Sequence, residues 1–314
     1  MKYYISHHQH KGKPYRNALS KGGWKRAMEG VDLALFDHLT SPHYSGKFRS
    51  VVQDYYNAGA AVVCYPHAAT VPWWFDGLME LPLETDCLLV IAEGQKTIAQ
   101  KYFLHSTRIE VTGFPYCVQK NFVKPNKIEH ILFAPIHPAG GKLRIEAVQA
   151  NNSVYKELKR IQRDHGVEVT VRYVGDMDLQ GIKPYPDFNL VEATPDGRTD
   201  EIDAADVVIG EGTFLWLAVA RGKPTVGMLQ HRPIRPNKSD TLWRSNHWEL
   251  YAGEMAYPIN YRIPGDYSRE HLWKLLHTAV EEEQTEWRER FIGPSLKSVE
   301  FCELMEDVVS NAGR

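Results

Sequence analysis

The chain has 314 residues, of which 43% are hydrophobic and 24% charged, and its formal net charge is -2. That length holds two domains of ordinary size, and that composition excludes a chain disordered throughout. The near-neutral balance excludes a global field that would draw the whole molecule onto nucleic acid or a membrane.

In chain order, short apolar runs alternate with longer polar or amphipathic stretches. Residues 2–6 (KYYIS), 31–37 (VDLALFD), 60–66 (AAVVCYP), 86–92 (DCLLVIA) and 108–115 (RIEVTGFP) read as strands, with helices expected over 45–58 and 93–105. Continuous apolar runs suit strands covered on both faces by helices, the rhythm of a parallel sheet. A polar stretch then interrupts the pattern, and we read 121–130 as a linker closing an N-terminal domain of residues 1–120.

The rhythm restarts with a strand at 130–135 and a long helix over 142–166, where Gly166 and the basic residues before it are the expected stop. Strands follow at 167–175, 188–193, 206–212 and 223–229, with helices at 199–205 and 213–221 between the later ones. This second α/β domain spans 131–267, and residues 268–314 form two helices expected to pack back on the N-terminal domain. The fold class is therefore α/β, with two Rossmann-like domains, a cleft between them and a helical C-terminal tail.

The start of the chain, MKYYISHHQHKGK, carries no apolar segment of signal-peptide type, and no apolar run reaches membrane-spanning length. A cytoplasmic location is expected. Cys64, Cys87, Cys117 and Cys302 show no CxxC spacing and read as reduced thiols. His7, His8 and His10 match no zinc spacing, so no metal is expected.

Two glycine-rich turns stand where a strand gives way to a helix. One is Gly210-Glu211-Gly212-Thr213. Glycine lets the backbone approach a ligand, and the free N–H groups of the following helix favour a diphosphate. Thr213 is placed to cap that helix or meet a phosphate oxygen, and Glu211 to accept from ribose hydroxyls. The other turn is His137-Pro138-Ala139-Gly140-Gly141-Lys142, with Lys142 as a point charge for phosphate; the spacing is not that of a P-loop.

In the N-terminal half, His67 follows a strand, as do Asp37-His38 and Glu93. Each sits where an open parallel sheet presents its ligand edge, and a histidine there titrates near working pH. His67 leads as a general base on a hydroxyl; Asp37, His38 and Glu93 compete with it.

The first 28 residues hold Lys2, Lys11, Lys13, Arg16, Lys21, Lys25 and Arg26 with no acid, interleaved with Tyr3, Tyr4, Tyr15 and Trp24. A basic, aromatic loop suits a polyanionic acceptor, with Lys21, Lys25 and Arg26 on phosphates and Trp73-Trp74 as a stacking platform. A second acid-free block runs from Arg221 to Lys238 and is placed to line the donor side.

Three segments carry a resemblance: Val111-Thr112-Gly113-Phe114-Pro115, Ile131-Leu132-Phe133-Ala134-Pro135-Ile136-His137, and Ala205 through Thr213 followed by Ala218 through Thr225. Their order is similar to the GT-B glycosyltransferase superfamily, and looks most like the branch with CDP-glycerol glycerophosphotransferases and UDP-GlcNAc 2-epimerases. Gly210-Glu211-Gly212-Thr213 and His67-Ala68 both depart from the glycerophosphotransferase pattern.

The resemblance implies an enzyme that moves a sugar from a nucleotide-sugar donor, a UDP-sugar above all, to a hydroxyl, with no tightly bound cofactor and no metal needed. The expected partners are the nucleotide-sugar and a polyanionic acceptor, either a nucleic acid with a hydroxylated base (DNA modification) or a phosphate-bearing glycan or lipid. The alternatives are a nucleotide-sugar epimerase or hydrolase, a glycerophosphotransferase, and a non-catalytic nucleotide-binding module.

Overall fold

The computed structural model describes residues 1–6, 12–36, 46–65, 84–90, 93, 96, 100, 107–113, 121–135, 142–180, 182–193, 200–210, 212–228, 257–259, 269–281 and 296–313. It forms two compact units, one of Met1–Cys117 with Glu289–Arg314, the other of Val118–Arg288. The first unit holds β1 (Lys2–Ile5), α1 (Lys13–Lys21), β2 (Lys25–Arg26), β3 (Leu33–Phe36), α2 (Gly46–Asn57), β4 (Ala61–Cys64), β5 (Cys87–Val90) and β6 (Arg108–Val111). The second holds β7 (His130–Phe133), α3 (Lys142–His165), β8 (Glu168–Tyr173), β9 (Asn189–Glu192), α4 (Asp200–Ala204), β10 (Val207–Gly210), α5 (Gly212–Ala220), β11 (Thr225–Met228), β12 (Tyr257–Ile259) and α6 (Arg269–Glu281). The last helix, α7 (Ser298–Asn311), returns to the first unit.

In the first unit the strands lie in the order β2-β1-β3-β4-β5-β6, every neighbouring pair parallel. Side chains alternate between faces, as a period of two demands. Tyr3, Ile5, Leu33, Leu35, Val63 and Leu89 pack under α1 and α7, while Ala34, Phe36, Val62 and Val90 pack under α2. Each face is covered, which is why these strands read as unbroken apolar runs rather than alternating ones.

Helix α1 falls in the stretch expected to be a basic loop. Gly12 and a proline in the first turn start it, and Tyr15 and Leu19, one turn apart, are both buried against the sheet. Each such burial contributes about 2 kcal/mol, enough to fix a short helix whose other faces are charged.

The second unit orders its sheet β12-β11-β10-β7-β8-β9, again all parallel. Ile131, Phe133, Val169, Val171, Val207 and Ile209 face α3 and α6; Leu132 and Val208 face Ile202 of α4 and Ala218 of α5. Gly166, at φ +67°, ends α3 as the stop signal predicted, its N–H bonded to Gln162 O at 2.8 Å. Strand β12 lay unforeseen in the stretch before the tail.

Two organisational expectations change. Residues 121–129 are not a free linker: Val123 N–H donates to Gly222 O at 3.1 Å, Lys124 Nζ to the carbonyl of Glu281 at 3.3 Å, and Ile128 is buried in the second unit's core. The two tail helices also part company. Helix α6 buries Leu272, Leu276 and Ala279 on the second sheet, whereas α7 buries Phe301, Cys302, Met305 and Val308 on the first. Each carries its own apolar stripe, and each stripe finds a different sheet.

Candidate functional site

The second sheet places the unit's third, second, first, fourth, fifth and sixth strands side by side, so the chain reverses its direction of growth between β7 and β10. At such a switch point the loops leaving the two strands diverge to opposite faces and open a crevice at their carboxyl ends. The register sets its floor. Ile131 pairs with Val207 and Phe133 with Ile209, and Ala134 N–H donates to Ile209 O at 2.8 Å. Ala134 and Gly210 are therefore level, at the rim.

Gly210 is favoured by close packing rather than by backbone conformation, since its φ is not in the left-handed region. A Cβ at this position would stand 3.0 Å from Cδ1 of Phe214, 3.5 Å from Cβ of Ala134 and 3.7 Å from its carbonyl oxygen. With that atom missing, Phe214 in the first turn of α5 packs closely on the strand end. Helix α5 then starts at Gly212 and α3 at Lys142, so two helix N-termini follow the two strands that flank the switch point. A helix N-terminus carries N–H groups with no partner inside the helix and the positive end of the helix dipole, the chemistry that receives a phosphate or diphosphate.

Of the residues singled out for the donor, Gly210 ends β10, Gly212 and Thr213 lie in the first turn of α5, and Lys142 is the first residue of α3. His137, Gly140, Gly141 and Glu211 lie outside the described residues, as do Asp37, His38, His67, Trp73 and Trp74. In the first sheet β3, β4 and β5 end at Phe36, Cys64 and Val90, with Phe36 paired to Cys64 and Cys64 to Leu88. Glu93 is helical and exposed, shortly after β5. This sheet too has a switch point, between β1 and β3, where Ser6 N–H bonds Leu35 O at 2.9 Å.

The basic blocks come out differently. Tyr3, Tyr15 and Trp24 are core residues, 1%, 3% and 4% exposed, so they form no stacking platform. Lys25 pairs with Lys2 and Arg26 with Tyr3, at the start of β1. Lys21 ends α1, which has carried the chain back to that same edge. All three cations are exposed, at the amino edge of the sheet and away from its carboxyl edge, the one at which open parallel sheets bind ligands.

In the second block, Arg221 Nε donates to Asp203 Oδ1 at 2.8 Å, and Lys223 Nζ donates to the carbonyls of Asp203 and Ala205 at 2.7 and 2.8 Å. These two cations close the end of α4 at the amino edge of the second sheet. The rest of that block, Arg232, Arg235 and Lys238, lies outside the described residues.

One constellation beside the switch point escaped the sequence reading. Phe133 pairs with Val171, so Arg172 of β8 is level with Ala134 and Gly210, on the α4–α5 face of the sheet. Its Nε bonds Glu201 Oε1 of α4 at 2.6 Å, and its guanidinium lies 4.8 Å from the ring centre of Phe214. The signal for it was present: Arg172 is the charged residue within an otherwise apolar, β-branched run, VTVRYV.

A parallel sheet of this order, with helix N-termini at its switch point and a second doubly wound unit in the same chain, defines the GT-B class of α/β fold. Solved structures bear this out. The chain is similar in fold to the UDP-GlcNAc 2-epimerase of Methanocaldococcus jannaschii, crystallised with UDP-GlcNAc and UDP, with a TM-score of 0.58 and 10% identity over 98% of this chain and 100% of that one. It is similar likewise to the UDP-GlcNAc 2-epimerase of Neisseria meningitidis bound to UDP-GlcNAc, with a TM-score of 0.54 and 9% identity over 99% of both chains.

The match to the structure of TarM is looser, with a TM-score of 0.47 and 12% identity over 89% of this chain. The chain spans 55% of TarM and 58% of the matched chain of the GtfA/B complex, little more than half of either. No protein-family model matches the sequence, and no curated protein matches it. Among the described residues no helix is long and apolar enough to cross a membrane.

Proposed function

We propose that the chain is a nucleotide-sugar enzyme whose second unit takes the diphosphate of a UDP-sugar at the β7–β10 switch point, and that it transfers the sugar to a hydroxyl. One observation carries the reading: the two adjacent strands of the switch point each lead to a helix, with Gly210 held free of a side chain at the rim. Donors fixed before the reaction stabilise the departing diphosphate without having to reorganise. The base candidates are His67, Asp37, His38 and Glu93, each at or soon after the carboxyl end of a strand of the first sheet. The acceptor is a hydroxyl compound. With Lys21, Lys25 and Arg26 at the amino edge, a polyanionic acceptor no longer draws support from them, and neither does DNA modification.

A second reading, epimerisation or hydrolysis of the UDP-sugar without an acceptor, is favoured by the two full-length fold matches, both to UDP-GlcNAc 2-epimerases. Incubation with UDP-GlcNAc alone, followed by chromatography of the nucleotide and sugar pools, separates the two. Transfer predicts an unchanged pool until a hydroxyl acceptor is added. An epimer, or free UDP, formed without any acceptor moves the assignment to the second reading. Failure of UDP and every UDP-sugar to bind overturns both.

A further inference from the structure

We infer that Arg172 is a positioning residue for the diphosphate site: with Glu201 behind it and the Phe214 ring beneath its guanidinium, it fixes the first turn of α5 on the sheet. The inference deepens the proposed function and rests on it. Gly210, Ala134 and Arg172 form one row across β10, β7 and β8, at one level and on one face. The first two positions are nearly without side chains, and Phe214 fills the notch they leave, its Cδ1 3.0 Å from where a Cβ of Gly210 would be. The third position closes the notch from the side, with the guanidinium 4.8 Å from the ring centre.

Phe214 belongs to the first turn of α5, the turn whose N–H groups would meet the diphosphate. Whatever holds its ring therefore sets the direction of those donors.

The ion pair explains why an arginine stands there and why its part is geometric. The Arg172 and Glu201 side chains are each 13% exposed, and their bond is 2.6 Å. A cation so closely neutralised offers little net charge to a ligand. What remains is a plane. A guanidinium stacks on an aromatic face and bonds a carboxylate at its edge in one rigid arrangement, which a lysine ammonium on a flexible stem does not reproduce. Glu201 is the anchor, reaching from α4, so the second unit ties the crossover before β10 to the helix after it.

The test is binding of UDP and of uridine, each titrated by ligand-observed NMR into the full chain. Arg172→Lys keeps the charge and loses the plane; Phe214→Leu keeps apolar volume and loses the ring. Each variant is expected to weaken UDP binding by about tenfold while uridine binding stays within about twofold, because only the diphosphate meets the turn that has lost its seat.

UDP binding unchanged in both variants overturns the inference. So does an equal loss for UDP and uridine, which would mark a residue that merely stabilises the unit. If Arg172→Lys does not fold, Phe214→Leu decides by the same criterion. A wild-type chain that binds uridine and UDP equally well keeps a nucleoside site but removes the diphosphate turn, and this inference with it. A wild-type chain that binds neither overturns the proposed function, a result told apart from the others without any variant.

Discussion

Gly210 shows how one absent atom lets a helix pack closely on a strand end. Glycine inside a strand ordinarily weakens it, since no side chain packs and the unfolded chain has more freedom to lose. Here a Cβ would stand 3.0 Å from Phe214, and the ring would have to move. We expect Gly210→Val to push Phe214 out of its notch, to cost about 1–3 kcal/mol in stability as an overpacking change, and to weaken UDP binding measured by calorimetry. Unchanged affinity would detach Gly210 from the site. The sequence displayed Gly210 and Gly212 as a turn, because glycine at a strand end is visible in one dimension. Arg172 was not legible in the same way. Its meaning depends on register with Ala134 across two strands, and a register is not written in either strand alone.

At the scale of elements, helix seating is decided by side chains at both ends of a contact. Helix α7 lies on the first sheet through Phe301, Met305 and Val308, and its outer edge is tied to β6 by Arg108, which bonds both Glu110 and Asp307. The hydrogen bond from Arg108 holds the Asp307 carboxyl below the ordinary carboxylate value. A carboxyl depressed in the folded state stabilises it above the unfolded value, about 3.9, and that contribution is lost as pH falls through the folded value. Thermal melts from pH 6 down to about pH 2 should therefore show Asp307→Asn converging on wild type at the acid end and lagging it above. A gap that stayed constant with pH would remove the ion pair from the account.

The elements themselves were largely legible, because runs such as AAVVCYP and DVVIGEG are long enough to read as buried strands. Helix α1 was not. Its stripe is only Tyr15 and Leu19 with Ala18 beside them, and the basic residues around it obscured a short amphipathic pattern.

At the scale of the whole molecule, each unit has its own sheet and its own cores, yet only the second is continuous in sequence. The first borrows α7 from beyond it. A chain stopped after Arg288 should keep the second unit folded and UDP-competent, while the first exposes the apolar face that α7 covers. Dye binding to exposed apolar surface, together with hydrogen exchange across β1, β3 and β4, reads this directly. Full protection of those strands in the shortened chain would show that α7 is dispensable.

That discontinuity sets a timetable. On the ribosome the six strands of the first sheet emerge early, and the helix that covers Tyr3, Leu33, Val63 and Leu89 comes only after the entire second unit has been made. At about 5–20 residues per second the gap lasts on the order of ten seconds or more, far longer than a helix needs to form. Through that interval the nascent first unit presents a greasy, half-finished surface while its neighbour can already be folding, so the second unit would mature first although it is translated second. The demand for chaperone protection then falls on the older half of the chain.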